Sequence, residues 1–213
     1  MQKPAVTMIE AFRHYRDQWQ GEAATVAQFE VFLRTHADAF ERSNPVGHFT
    51  GSSWLVSADG ARVLLMHHRK LDRWLQPGGH ADGDADLARV ALREAREETG
   101  MQNLQVEAGI FDIDRHSIMG HIPVSYPGGP ALPFAFAPGE RSPARTNEPR
   151  HWHYDVRYVV RAGTDESYVV NAESHALAWR PVVEVAADES LDASLRRMAH
   201  KWLASQRYFS GAG

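Results

Sequence analysis

The chain has 213 residues, 43% hydrophobic and 23% charged, with a formal net charge of −4. That is enough for one domain with additions and a core of its own, and it excludes a disordered or fibrous chain. Mild acidity argues against binding a nucleic acid polymer through bulk positive charge, and the absence of cysteine excludes disulfides, cysteine-ligated zinc and thiol nucleophiles.

The first 40 or so residues read as two helices. Met8, Ile9, Phe12, Tyr15 and Trp19 keep helical spacing until Gly21. Thr25 with Gln28 has the form of a capping box ahead of Phe29, Phe32 and Leu33. Asn44-Pro45-Val46-Gly47 ends this section, so residues 1–45 are expected to be an N-terminal helical extension to a domain spanning 46–213.

From about Ser52 the period changes. Ser53–Ser57 and Arg62–His67 read as strands joined by a turn at Ala58-Asp59-Gly60. Trp74-Leu75-Gln76-Pro77-Gly78-Gly79 reads as a strand end running into a tight turn, and Asp86–Thr99 as a strong helix stopped by Gly100. Leu104–Ile110, Asp112–Ile118, His153–Arg161 and His175–Val183 are expected strands, and 190–207 a closing helix. Between the middle strands, residues 120–149 are rich in proline and glycine and read as a long irregular insertion folded onto the body through Leu132, Phe134 and Phe136. The order of elements predicts an α/β (α+β) domain, a mixed β-sheet sandwiched between helices. No apolar run approaches the ~18 residues of a membrane span and no basic-then-apolar leader is seen, so no membrane partner is expected and a cytoplasmic location is the default.

Placed at about 100° per residue, the 86–99 helix carries Leu87, Val90, Ala91 and Ala95 on one face. Glu94 and Glu98 extend that apolar stripe and Glu97 lies beside them, so three carboxylates converge at the negative end of the helix dipole. Buried like charges repel, and a hard divalent cation, Mg²⁺ or Mn²⁺, would relieve them. A solvated acidic patch paired with arginines such as Arg93 is the alternative on geometry alone.

These residues also resemble a family. Gly79, Arg93, Glu94, Ala95, Glu97, Glu98, Gly100 and Met101 stand in register with the signature G-x5-E-x7-R-E-U-x-E-E-x-G-U, U being apolar, of the Nudix hydrolases, from Gly79 to Met101. The resemblance covers roughly Ser52 to Ala187 and implies a Nudix-like fold. It implies hydrolysis of a diphosphate linkage in a nucleoside diphosphate derivative: a nucleotide sugar, a dinucleotide or a modified triphosphate. It further implies Glu94, Glu97, Glu98 and the Gly79 carbonyl as ligands of Mg²⁺ or Mn²⁺, Glu94 alternatively as general base, and Arg93 as the residue that orients a glutamate. A homodimer is left open, as many Nudix proteins are dimers. One position departs: Ala85 stands where the family has its first glutamate. In the family that residue mainly supports the loop and the metal shell, and members with Gly-Gly-His in this turn share the gap.

The 12 histidines are the second feature. Alternation on a strand places His151, His153, Asp155 and Arg157 on one face, and Asp112, Asp114 and His116 alternate likewise nearby. Three readings are open: a substrate-facing polar wall that includes phosphate contacts, a second site for a transition metal such as zinc, or plain structure. His80 and Arg69 are further candidates for substrate contact. Two functional alternatives accompany the hydrolase: a catalytically weak nucleotide sensor, suggested by Ala85, and a zinc-dependent hydrolase built on His116, His151 and His153.

Overall fold

The computed structural model describes residues 3–118 and 150–210. Two helices come first, α1 (Lys3–Gln18) and α2 (Ala23–Thr35). The Thr25–Gln28 box does not cap α2. A single 3-10 turn at Gln20–Glu22 runs straight into the helix, which begins two residues before Thr25 and has no side-chain cap. The turn takes up the space in which an extended capping residue would sit.

The sheet follows: β1 (Gly47–Val56), β2 (Arg62–His68), β3 (Arg73–Leu75), β4 (Gly78–His80), β5 (Leu104–Val106), β6 (Asp112–Ile118), β7 (His151–Ala162) and β8 (Ser174–Pro181), with α3 (Leu87–Thr99) between β4 and β5. The closing helices are α4 (Val182–Ala187) and α5 (Ala193–Ser210). The core path runs β3-β2-β1-β7-β5, with β4 on β1, β6 on β7 and β8 on β2. Only β1 and β7 run parallel among these pairs, so the sheet is mixed. The irregular insertion expected at 120–149 lies outside the described residues.

Several boundaries differ from the sequence reading. The strand expected over Leu104–Ile110 stops at Val106, because the chain turns through Gly109 at φ 89°, a conformation that favours glycine. The strand expected from His175 to Val183 ends at Pro181, and Val182–Ala187 is helical instead. Proline has no N–H to extend the ladder, and its fixed φ suits a helix start. The largest difference is β1, which begins at Gly47 rather than Ser53 and is buried along its whole length. Gly51 lies inside it because α3 passes so close. A Cβ there would stand 2.7 Å from the Leu87 carbonyl oxygen.

On the α3 side of the sheet, α1 and α2 share one apolar cluster with β1 and β7. Phe12, Phe29, Phe32, Phe49 and Tyr154 are buried together, Phe32 stacking on Tyr154 at 4.0 Å between ring centroids. Truncating a fully buried ring such as Phe29 would cost about 3–5 kcal/mol. On the other side, α4 and α5 bring Val185, Leu195, Met198 and Trp202 against Trp54, Val56 and Leu65. No helix among the described residues is long and apolar enough to cross a membrane.

Candidate active site

The helix α3 starts where its sequence says it should. The Asp86 carboxylate accepts the Arg89 N–H at 3.1 Å, and Gly100 closes it at φ 72°. Its buried face, Leu87, Val90, Ala91 and Ala95, packs on β1. That docking sets where the glutamates land. Glu98 is 5% exposed and accepts the Gly78 N–H at 2.9 Å. Glu94 is half-buried, and its carboxylate lies so close to Gly79 that a Cβ on that residue would stand 2.5 Å from it. Glu97 is exposed on the next position round the helix. Arg93 donates to Glu94 Oε1 at 2.7 Å and to the His80 carbonyl at 2.9 Å, tying the helix to β4.

The electrostatics of this corner are one-sided. Burial pushes the Glu98 carboxyl up to about 8, and the charges of Glu94, Glu173 and Glu97 add to the rise against one lowering hydrogen bond from Gly78. Burial raises Glu94 as well, opposed by Arg93 and reinforced by Glu97 and Asp82. Carboxylates close enough to raise one another through their charges, one of them buried and disfavoured as an anion, offer the oxygen donors that suit Mg²⁺ or Mn²⁺. The residues present therefore fit such an ion. Glu173, which precedes β8, acts on Glu98 through its charge.

The histidine face is assembled from neighbouring strands. His116 and His153 are Cα partners across β6 and β7, with ring centroids 5.4 Å apart. His116 Nδ1 lies 3.1 Å from Asp114 Oδ2, and His151 Nε2 lies 3.2 Å from His153 Nε2. His80, on β4, faces His153 at 5.2 Å. A histidine absent from the sequence reading completes the group. His48 on β1 is 2% exposed, and its ring lies 4.9 Å from His80 and 4.8 Å from His153. The alternation of His48, Thr50 and Ser52 with Phe49 was the available signal, masked by the Pro45 and Gly47 that read as a break.

Asp155 and Arg157 share this strand face but turn inward. Asp155 accepts Thr50 Oγ1 at 2.9 Å, Ser52 Oγ at 2.7 Å and Arg157 Nε at 2.7 Å. Arg157 continues to Asp112 at 3.0 Å, which also takes Arg197 at 2.7 Å and Lys201 at 2.6 Å. Arg69 sits apart from both clusters' hydrogen bonds, exposed at the end of β2 and donating to the Ser174 carbonyl at 3.1 Å.

The sequence matches the NUDIX domain family over residues 50–202, most of the chain. The chain belongs to the NUDIX domain family. A MutT protein from Methanosarcina mazei Go1 superposes with a TM-score of 0.51 at 15% identity, covering 76% of this chain and 97% of that one. A NUDIX-family hydrolase from Clostridium perfringens gives 0.48 at 24% identity, covering 75% and 97%. A C. elegans Ap4A hydrolase gives 0.49 at 14% identity, covering 76% and 98%. No curated protein matches the sequence. Within the family, the Gly79–Met101 segment is the β4–α3 unit just described, with Ala85 in the turn between them.

Proposed function

We propose that this NUDIX protein hydrolyses a diphosphate linkage in a nucleoside diphosphate derivative, using Mg²⁺ or Mn²⁺. The observation that carries the reading is Glu98, a buried carboxyl surrounded by Glu94, Glu97 and Glu173 with a single hydrogen bond from Gly78 to steady it. Glu98, Glu97 and Glu94, with the Gly79 carbonyl, would hold the cation. Such an ion would supply charge to neutralise phosphate oxygens and to acidify water.

The chain's own residues set the stage for that chemistry. Arg93 holds Glu94 against β4, so the carboxylate stays in place. The Gly78 N–H fixes one Glu98 oxygen and leaves the other free to face a ligand. Gly79 has no side chain to keep Glu94 away from the strand. His116 and His151 would line the approach of the substrate, with Asp155 and Arg157 as the buried scaffold beneath them.

The test is a phosphate-release assay over nucleotide sugars, dinucleotides and modified triphosphates with Mg²⁺, Mn²⁺ or Zn²⁺. Turnover with Mg²⁺ or Mn²⁺ that disappears in Glu98→Gln supports the proposal. Tight nucleotide binding without turnover would favour the sensor, the reading suggested by Ala85. Turnover with Zn²⁺ alone would transfer the chemistry to the histidines.

A further inference from the structure

The histidine cluster and the glutamate cluster occupy opposite faces of one short strand. Successive residues of a strand point to opposite sides. Gly79 faces Glu94, and His80 turns its ring to His48 and His153. The strand pairing explains the grouping. His48 and His153 are Cα partners on parallel β1 and β7, and His80 is paired with Thr50 on β1. Three imidazoles from three strands therefore meet on one side of the sheet.

Their donor atoms lie within 4.8 Å of one another. His48 is the decisive member. Both of its ring nitrogens are buried, and neither has a hydrogen-bond partner among the described residues. Leaving a buried polar group unsatisfied is costly, so a ring with two unpartnered nitrogens set among imidazoles calls for a ligand. Carboxylates are not among the three, which disfavours Mg²⁺ or Ca²⁺.

We propose that His48, His80 and His153 form a site for a borderline divalent metal of the zinc class, separate from the glutamate site. Each ring donates one nitrogen lone pair, and the fourth position is left to water. This set differs from the His116, His151 and His153 triad suggested by strand alternation, because the donor atoms that come within 4.8 Å of one another are those of His48, His80 and His153. The ion acts as a clamp. It ties β4 to β1 and β7 at His80, one residue from Gly79 and at the start of the segment that leads through Ala85 to α3. The second gathering of donors, His67, Asp72 and His175, is mostly exposed and has no orphaned buried atom to match.

The experiment uses the full chain purified without a histidine tag, stripped with chelator and dialysed against Zn²⁺ with millimolar Mg²⁺ present. One zinc retained per chain is expected, with an X-ray absorption shell of three imidazole nitrogens at about 2.0–2.1 Å. His48→Ala and His153→Ala should each weaken zinc binding at least tenfold, and His116→Ala should keep it. Co²⁺ in place of Zn²⁺ should give visible absorption. No retained metal in the wild-type protein, an oxygen-only shell, or zinc that survives both His48→Ala and His153→Ala would each overturn the proposal. The wild-type measurement decides the matter even if a variant fails to fold. Zinc retained by Glu98→Gln is expected, and loss of zinc there would assign the ion to the glutamates. A protein that binds zinc in this shell yet hydrolyses nothing would reject the hydrolase reading and leave this one standing.

Discussion

Two regions of this molecule gather carboxylates, and they resolve the crowding in opposite ways. Around Asp112, every acid has a base. Arg157, Arg197 and Lys201 converge on one aspartate that is fully buried. Burial works to raise Asp112, but the hydrogen bond from Arg197 and the charges of all three cations outweigh it and hold the carboxyl below its usual range. At the end of α3, among the described residues, Arg93 is the cation bonded to the trio, and it reaches Glu94 alone, while Glu98 is driven up to about 8. The first region is a staple between α5 and the sheet. In the second, among the described residues, carboxylates outnumber the bases bonded to them, which is the imbalance the proposed cation would answer.

The sharpest way to break this contrast is at Glu98. Glu98→Gln keeps the shape and the Gly78 hydrogen bond, so folding should be retained while metal-dependent kcat falls by more than the about 10–100-fold typical of an outer-shell loss. An unchanged kcat would return the glutamates to an ordinary acidic patch. The same isosteric change in the paired region should do the reverse. Asp112→Asn removes the charge that Arg157, Arg197 and Lys201 share, leaving Arg157 to Asp155 and Asp114 and Lys201 to Glu22, and denaturant titration should show a loss of about 1–3 kcal/mol.

The pH dependence follows from the same pairing. The folded value of Asp112 lies below its unfolded one, so its contribution is fully present above about pH 4 and is lost as pH falls through the folded value. Thermal melts should therefore drop on acidification below about pH 4 in the wild type, and Asp112→Asn should flatten that part of the curve. A wild-type curve that stays level to pH 3 would remove Asp112 as the staple. Two further substitutions test the supports. Gly51→Ala should destabilise by about 1–3 kcal/mol, because its Cβ meets the Leu87 carbonyl oxygen. Ser52→Ala should cost about 1 kcal/mol, since Thr50 and Arg157 still serve Asp155.

Much of the frame was legible in the sequence because it depends on local patterns. The α3 helix, with its Asp86 start and Gly100 stop, follows from side chains close in the chain. Asp112, Asp114 and His116 were read as alternating near the His151–Arg157 face, and β6 and β7 do pair, with His116 opposite His153. Misreadings arose where long-range packing overruled local preference. Gly47 and Gly51 weaken a strand in isolation, but β1 is held by β4, β2 and β7 and needs a glycine where α3 crosses it. His48 was lost with that strand end.

The sequence by itself determined the chemistry available: the register of Gly79, Arg93, Glu94, Glu97 and Glu98 on one helix, and an excess of histidine. Helical spacing and residue type suffice for that. Only the tertiary structure decided which charges are answered and which are left waiting. Asp155 and Arg157 look as accessible in the sequence as His153, yet the sheet folds them against Thr50, Ser52 and Asp112. Charge compensation depends on distance in space, and residues 103 apart in the chain, Ser52 and Asp155, become neighbours only when parallel strands pair.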